Sequence, residues 1–343
     1  MAKSVDMSSP KISIIVPVYN TSAYLKDNFD SLKNQTMGDI EIIYVDDAST
    51  DNSLGMLRAF AREDERVVVI AQERNQRQGA ARNAGVKAAK SPYVMFVDSD
   101  DTISPRMCEL LYGKTASSPD MVVCNYKKVF HDHECVVEVI PAGWECMPME
   151  TLKLKMSASP SACSKLTAKD FLQSNGLLFP EMIIYEDMII PLWYMKAERI
   201  EFVEKPLYNY FSRENSTVTH RSRRHLDRVK ALEIFLQRSK EMGLYEAYPE
   251  VVKSSALLHG WYYLLKSWIF QIPGFPFREI RRVRRRLKAD FGRLYYKEYM
   301  GRRFGAYVRL LILAWSVSEA AGITAYATIK CMLDLKRKLF KRD

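Results

Sequence analysis

The 343-residue chain has no G-x-G-x-x-G after its first strand-like run, which removes the dinucleotide-binding fingerprint and, with it, a nicotinamide-dependent oxidoreductase. Its six cysteines, Cys108, Cys124, Cys135, Cys146, Cys163 and Cys331, contain no C-x-x-C pair and no zinc-like spacing. They read as reduced, mostly buried thiols. The opening residues lack the apolar core of a secretory leader, so a cytoplasmic location is expected. No internal repeat or low-complexity tract stands out. The stretch from Leu310 to Ile329 is just long enough to span a bilayer. Glu319 would be costly at mid-membrane, and Gly322 and Thr324 weaken a helix, so a buried or interfacial helix is expected there instead.

What the chain does have is Val94-Met95-Phe96-Val97 followed at once by Asp98-Ser99-Asp100-Asp101. A run suited to a buried strand stops at three carboxylates, which repel one another unless a cation sits among them. All-oxygen ligands of this kind suit Mg2+ or Mn2+, which keeps several waters and bridges to a substrate's phosphates.

The first hundred residues alternate strands with helices. Ile12 to Val18, Glu41 to Val45, Val67 to Ile70 and Tyr93 to Val97 read as strands. Thr21 to Gln35, the segment after Asp51 (a plausible helix cap) and Gly79 to Ala89 read as helices. This alternation implies an α/β fold, a Rossmann-like sheet of mostly parallel strands flanked by helices. Ligands in such sheets bind beyond the carboxyl ends of the strands. Pro17-Val18-Tyr19-Asn20, Asp46-Asp47 and Asp98-Ser99-Asp100 all lie at such ends and can converge on one crevice. Between Met121–Phe130 and Cys135–Ile140, both strand-like, His131-Asp132-His133 is expected to be a hairpin loop and no metal site.

Four motifs in this order and spacing, Pro17-Val18-Tyr19-Asn20, Val45 to Asp51, Gly79-Ala80-Ala81-Arg82-Asn83-Ala84-Gly85 and Val97 to Asp101, resemble those of the family 2 glycosyltransferases. The resemblance continues through Lys165-Leu166, Phe179-Pro180 and Tyr185-Glu186-Asp187-Met188, and thins out after about residue 220. It implies a glycosyltransferase A-type fold and transfer of a sugar from a nucleotide-sugar donor, with a UDP-sugar expected. Backbone near Pro17, Val18 and Tyr19 and the second acid of Asp46-Asp47 would then cradle the base. Arg82 could reach the ribose, the phosphates or the acids of the cluster. Asp100 is expected to be the direct Mn2+ or Mg2+ ligand, with Asp98 nearer the ribose and the metal shell, Ser99 between them, and Asp101 shaping the turn. A metal there would neutralise the charge developing on the departing diphosphate.

The same resemblance makes Asp187 the general base that deprotonates the acceptor hydroxyl, with Glu186 holding the acceptor or orienting Asp187. Desolvation at the mouth of the apolar stretch that follows would raise a carboxylate pKa usefully. Tyr208 to His220 resembles the family's segment that closes over the diphosphate, where Arg213 could pair with phosphate and Ser216 and Thr217 donate hydroxyls. His220 could complete the metal shell. The pocket that selects among donor sugars is expected around Lys165 and Tyr185. A processive polysaccharide synthase is not expected, because the Q-x-x-R-W motif of such relatives is absent.

Charge is unevenly placed. The chain carries 51 Lys and Arg against 41 acids, or +10, while residues 278–343 alone hold 18 against 6, or +12, leaving −2 for the rest. That basic block is interleaved with Phe291, Tyr295, Tyr296 and Tyr299, and is preceded by Trp261, Tyr262, Tyr263, Leu264, Trp268, Ile269 and Phe270. Such composition docks on anionic membranes through apolar burial and about 1 kcal/mol per basic residue near the surface. The expected organisation is therefore a flexible 1–10, a catalytic domain over 11–225 (nucleotide-sugar half 11–103, acceptor half 104–225), and a helical, membrane-associating 226–343. The expected partners are a nucleotide-sugar, a lipid-linked or polysaccharide acceptor and the inner face of a membrane. The rival reading is a nucleic-acid-binding protein acting through the basic, aromatic tail. It leaves both acidic clusters without a role, since carboxylates repel phosphate backbones, and no nucleic acid is expected.

Overall fold

Apolar runs buried on both faces build the first half of the molecule. The structure is a computed structural model and describes residues 9–213, 221–274, 276–294 and 305–339. Its strands are β1 Ile12–Val18, β2 Ile40–Asp46, β3 Val67–Ala71, β4 Tyr93–Phe96, β5 Thr102–Ile103, β6 Met121–Val129, β7 Glu134–Val137, β8 Lys165–Ala168 and β9 Ile200–Phe211. They form one sheet in the order β3-β2-β1-β4-β8-β6-β9-β5, with β7 hydrogen-bonded to β6 as a hairpin. β3, β2, β1 and β4 are parallel. β8 runs against both β4 and β6, and β9 returns parallel to β6. The sheet is mixed but mostly parallel, and the His131–His133 segment lies in the β6–β7 loop as expected.

The first-half helices are α1 Leu25–Lys33, α2 Ser53–Glu63, α3 Arg77–Ala88, α4 Met107–Tyr112, α5 Met149–Met156, α6 Lys169–Ser174 and α7 Ile190–Lys196. Every residue of β1 and β2 is buried, because helices cover both faces of the sheet. Ile12, Ile14, Val16 and Val18 pack with Phe29 and Leu32 of α1 and Phe60 of α2, whose rings stack 4.1 Å apart. α1 starts at Leu25, four residues later than expected from Thr21. Asn52, not Asp51, sits at the N-cap of α2, although Asp51 Oδ1 accepts from Ser53 N at 2.9 Å.

The chain forms two compact units, Met1–Glu214 and Asn215–Asp343, dividing about ten residues before the boundary expected near 225. Among the described residues the second unit is helical: α8 Asp227–Glu241, α9 Leu244–Ala247, α10 Pro249–Ser255, a π-helical stretch Ala256–Tyr262, α11 Tyr263–Phe270, α12 Phe277–Phe291, α13 Ala306–Val317 and α14 Glu319–Leu339. Two expectations fail here. Trp261, Tyr262, Leu264, Trp268 and Ile269 are not an interfacial belt; all are buried in the unit's own core. Trp268 stacks on Tyr326 at 3.8 Å and meets Trp315 edge-on. The stretch Leu310–Ile329 is not one helix, because Ser318 is extended (φ −151°, ψ 164°) and the chain turns back on itself. Gly322 permits that fold-back, since a Cβ there would lie 2.3 Å from the Trp315 ring. No helix among the described residues is long and apolar enough to cross a membrane. The cysteines also differ from expectation: Cys108, Cys124 and Cys163 are buried, whereas Cys135, Cys146 and Cys331 are exposed.

Candidate active site

The parallel strands β1, β2 and β4 end at one edge of the sheet, and the chain departs from ordinary backbone geometry there. Of the six non-glycine residues with positive φ among those described, Asn20 (53°) and Ala48 (59°) follow β1 and β2, and Arg77 (75°) opens α3. Such conformations cost about 1–3 kcal/mol each and persist where surrounding contacts over-determine them. Those contacts are visible. Asn20 Oδ1 accepts from Thr50 N at 2.7 Å, and Asn20 N donates to Ser49 Oγ. The Asp47 carboxylate accepts from Gln76 N (2.7 Å) and Arg77 N (2.8 Å), fastening the start of α3.

The nucleotide-side residues named from the sequence therefore lie together, but in different states. Val18 and Asp46 are buried, Tyr19 is 44% exposed, and Pro17 is an interior residue of β1. Asp46 Oδ2 accepts from Ser49 N at 3.2 Å, whereas its buried Oδ1 has no hydrogen-bond partner among the described residues. Burial pushes the Asp47 carboxyl up despite its two backbone donors. Ser99 is buried and accepts from Thr21 Oγ1 at 3.0 Å.

The acidic loop 98–101 is held from three sides. Asn28 of α1, fully buried, donates through Nδ2 to the carbonyls of Asp98 (3.1 Å) and Asp101 (2.8 Å) and accepts from Tyr44 Oη. Asp101 accepts from Tyr208 Oη (2.6 Å) and Phe211 N (2.8 Å), so it ties the loop to the end of β9. Its burial, then the charges of Asp98 and Asp100, push its pKa up to about 8. Asp98 Oδ1 accepts from Gln78 Nε2 and Arg82 Nη2, both at 2.8 Å. The Asp100 side chain keeps about a third of its surface exposed, with Arg213 Nε 3.3 Å away. Burial and then Asp98 raise its pKa, while Arg213 opposes the rise.

Arg82 is 3% exposed and joins the two acidic clusters. Its Nη2 donates to Asp98 and its Nη1 to Glu186 Oε1 at 2.5 Å, with its guanidinium 5.2 Å from the centre of the Phe179 ring. Burial works against the guanidinium charge, but Asp98 and Glu186 outweigh it and hold the pKa above its ordinary value. Of the three partners the sequence allowed for Arg82, the structure supplies the acids. α3 can lie this close to the 179–186 segment because of Gly79, where a Cβ would be 2.2 Å from the Pro180 carbonyl oxygen. Asn83, one residue past Arg82, exchanges bonds in both directions with the Phe179 backbone, each 2.9 Å.

Glu186 and Asp187 begin a short 3₁₀ turn, Glu186–Ile189, that leads into α7. Glu186 is 3% exposed and Asp187 half-buried. Lys165, at the start of β8, is 1% exposed, and its Nζ donates to the carbonyls of Ser161 and Cys163. Burial lowers its pKa to about 8, against which Asp187 is one of the stabilising charges. Lys165 and Tyr185, around which the donor-sugar pocket was expected, are both buried. Arg213 stacks on Tyr24, 3.5 Å from its ring centre, and donates to the Asp100 carbonyl. Ser216, Thr217 and His220 lie outside the described residues.

Asn28 and Gln78 were not singled out by sequence reasoning, and Asn83 and Tyr208 entered it only as members of motifs, with no role of their own. Asn28 left a trace: a polar residue among the apolar positions of α1. Gln78 left none.

No group of three His, Cys, Asp or Glu side chains among the described residues is arranged to hold a metal ion by itself. Mg2+ and Mn2+ are commonly held by one or two carboxylates together with substrate phosphates, so such a cage is not required. Asp100, partly exposed and with a raised pKa beside Asp98, is the kind of oxygen donor that a divalent cation would relieve. The residues fit the group.

A mixed, mostly parallel sheet whose strand ends gather an acidic loop, a buried arginine and a second acidic pair defines a nucleotide-binding transferase architecture. The profile described as Glycosyl transferase family 2 matches residues 13–135. EpsH of Bacillus subtilis (strain 168), provisionally assigned as a glycosyltransferase, is 32% identical over 274 residues, covering 76% of this chain and 78% of EpsH. The chain belongs to the family 2 glycosyltransferases and is a glycosyltransferase. The poly(ribitol-phosphate) beta-glucosyltransferase of Bacillus spizizenii (strain ATCC 23059 / NRRL B-14472 / W23) is 34% identical over 195 residues, 55% of this chain and 30% of that protein. In fold, the chain is similar to S. aureus TarS 1–349 in complex with UDP-GlcNAc, with TM-score 0.66, 20% identity, and coverage of 95% and 92% of the two chains.

Proposed function

We propose that this protein is an inverting, metal-dependent glycosyltransferase that moves one sugar from a UDP-sugar to a hydroxyl of a lipid-linked or surface-polysaccharide acceptor, working at the inner face of a membrane. One observation carries the reading: Arg82 bridges Asp98 of the donor-side loop and Glu186 of the acceptor-side turn. Two carboxylate clusters with separate tasks are thereby held at a fixed spacing. Structural likeness to a UDP-GlcNAc complex supports a uridine donor, and likeness to a poly(ribitol-phosphate) glucosyltransferase supports a polymeric acceptor.

In this reading the base lies against Tyr19 and the Asp46-Asp47 turn. Asp100, with Asp98 behind it, would hold Mn2+ or Mg2+, which supplies charge neutralisation to the leaving diphosphate. Asp187 takes the proton of the acceptor hydroxyl as its oxygen attacks the anomeric carbon and the bond to the β-phosphate oxygen breaks. One displacement inverts the anomeric configuration. Glu186 cannot serve as that base, since its Oε1 is committed to Arg82 in a buried ion pair; it positions the turn that carries Asp187. Arg213, on Tyr24 and beside Asp100, is placed to meet a phosphate oxygen.

The test is a panel of sugar nucleotides offered to purified full-length protein with and without Mn2+, read by nucleotide release and by NMR of the product anomer. A metal-stimulated UDP release from one sugar, with the product anomer inverted, is the expected result. Retention at the anomeric carbon would overturn the single-displacement mechanism.

A further inference from the structure

α13 carries two apolar stripes where its own fold needs one. Val308, Leu311, Ile312 and Trp315 face inward, at the spacing of a helix packed on one side. Ala306, Leu310, Leu313 and Val317, at i, i+4, i+7 and i+11, form a second stripe that is exposed. Leu310, Leu313 and Val317 are 48%, 44% and 76% exposed, so this is no incidental leucine at a surface. Arg309 is the one charged residue of the helix, and it too is exposed.

Beside this helix lies a dense basic face. Arg284 of α12 donates to the Trp315 carbonyl at 2.9 Å, and Arg281 pairs with Glu319 at the α13–α14 corner next to Val317. The same helix presents Arg278, Arg285 and Lys288 to solvent, with Arg282 and Arg286 also exposed but paired with Glu233 and Asp290, while Ile280, Val283 and Leu287 are buried beneath it.

We infer that the exposed stripe of α13 is a lipid-contacting surface, set against an anionic bilayer by the basic face of α12. The inference rests on the proposed lipid-linked acceptor for its purpose, but not for its physical argument. A helix with apolar residues outward and arginines alongside lies in the plane of the interface, its apolar side in the headgroup and acyl boundary. A second copy of the chain is the poorer occupant. Three large side chains along a 12-residue helix offer far less than the 1,200–2,000 Å² of a stable interface. A two-fold pairing through this face would also bring the arginine rows of both copies together.

The experiment is co-sedimentation of full-length protein with vesicles of two parts phosphatidylcholine to one part phosphatidylglycerol, and with phosphatidylcholine alone. The wild type should pellet with the mixed vesicles and weakly with the neutral ones. L310Q/L313Q/V317Q, at solvent-facing positions that leave the core intact, should bind the mixed vesicles at least tenfold more weakly with an unchanged circular dichroism spectrum. R278Q/R285Q should weaken binding to the anionic vesicles by about thirtyfold and leave the neutral ones unaffected. Wild-type protein that binds no vesicle, or a glutamine variant that binds as the wild type does, overturns the inference. Self-association that the glutamine variant abolishes, without vesicle binding, assigns the stripe to a second copy instead. Nucleotide release from the panel of sugar nucleotides is read separately: vesicle binding without release from any of them sinks the proposed glycosyl transfer alone, and release without vesicle binding sinks the lipid surface alone.

Discussion

Arg82 and Glu186 are 104 residues apart in sequence and 2.5 Å apart in space, and both are buried. With Asp98 on its other nitrogen, the guanidinium is a strut between the 98–101 loop and the 186–189 turn. Removing one member of a buried ion pair strands the others. Arg82→Ala should therefore cost about 3–5 kcal/mol of stability, measured from the urea midpoint. Arg82→Lys restores a charge that can reach one carboxylate at a time, and should recover stability better than turnover. An alanine variant of wild-type stability would show that the strut is dispensable.

Asp100→Ala is expected to lower transfer by about 10²-fold or more and to abolish the dependence of nucleotide binding on Mn2+. The fold should survive, because the substitution removes repulsion from Asp98 and gives up only the partly exposed ion pair with Arg213. Isothermal titration of UDP with and without the metal measures the first effect and thermal unfolding the second. Near wild-type turnover in Mn2+ would remove Asp100 from the metal site.

Asp187→Asn should keep donor affinity and lose about 10²-fold or more of transfer, the scale of a missing general base. Binding of the UDP-sugar and its slow hydrolysis are the controls. A parallel loss of affinity and turnover would make Asp187 structural.

The parallel half of the fold was legible because β1, β2 and β4 are apolar runs that end in polar motifs, and burial on both faces makes such runs easy to read. The converging loops at their ends followed from the same logic. What was not legible was partnership. Nothing local in Gly79-Ala80-Ala81-Arg82 says that the arginine belongs to Glu186 rather than to a phosphate, because that depends on how segments a hundred residues apart pack. The aromatics around Trp261 and Trp268 misled for a related reason. Composition separates apolar from polar, but a residue bound for its own core and one bound for a membrane look alike until the neighbouring helices are in place. The break at Ser318 was hidden because a single extended residue carries no strong signal of its own.

Gly79→Ala should destabilise the protein by about 1–3 kcal/mol, as overpacking does. The added carbon would meet the Pro180 carbonyl oxygen, a backbone atom that cannot rotate away. Relief requires α3 to withdraw from the 179–186 segment, so turnover should fall more than donor binding. An alanine variant with wild-type stability and rate would show that the two segments have slack between them.

Lys165 gives the protein a pH dependence. Its folded pKa is lowered to about 8 from 10.5, so between these values the unfolded chain binds more protons than the folded one. Stability from this group therefore rises as pH climbs from about 8 to 10.5 and is flat below 8, by at most a few kcal/mol in total. Lys165→Met should abolish that rise when chemical denaturation of the two proteins is compared across the window. Identical slopes would mean that the lysine titrates normally.

The paired bonds between Asn83 and Phe179 bear on how an enzyme of this kind can change its substrates over evolutionary time. They weld α3 to the 179–186 segment, so a mutation that reshapes either piece disturbs both, and drift there is penalised twice. Change is more readily accommodated by parts outside the weld. The β6–β7 hairpin is one such part: it extends β6 toward the same edge of the sheet, its tip from His131 to Cys135 is exposed, and lengthening it breaks no contact of the strut. Variation among descendants of this chain should accordingly collect in that hairpin, while the arginine, the two carboxylates and the asparagine persist as a unit.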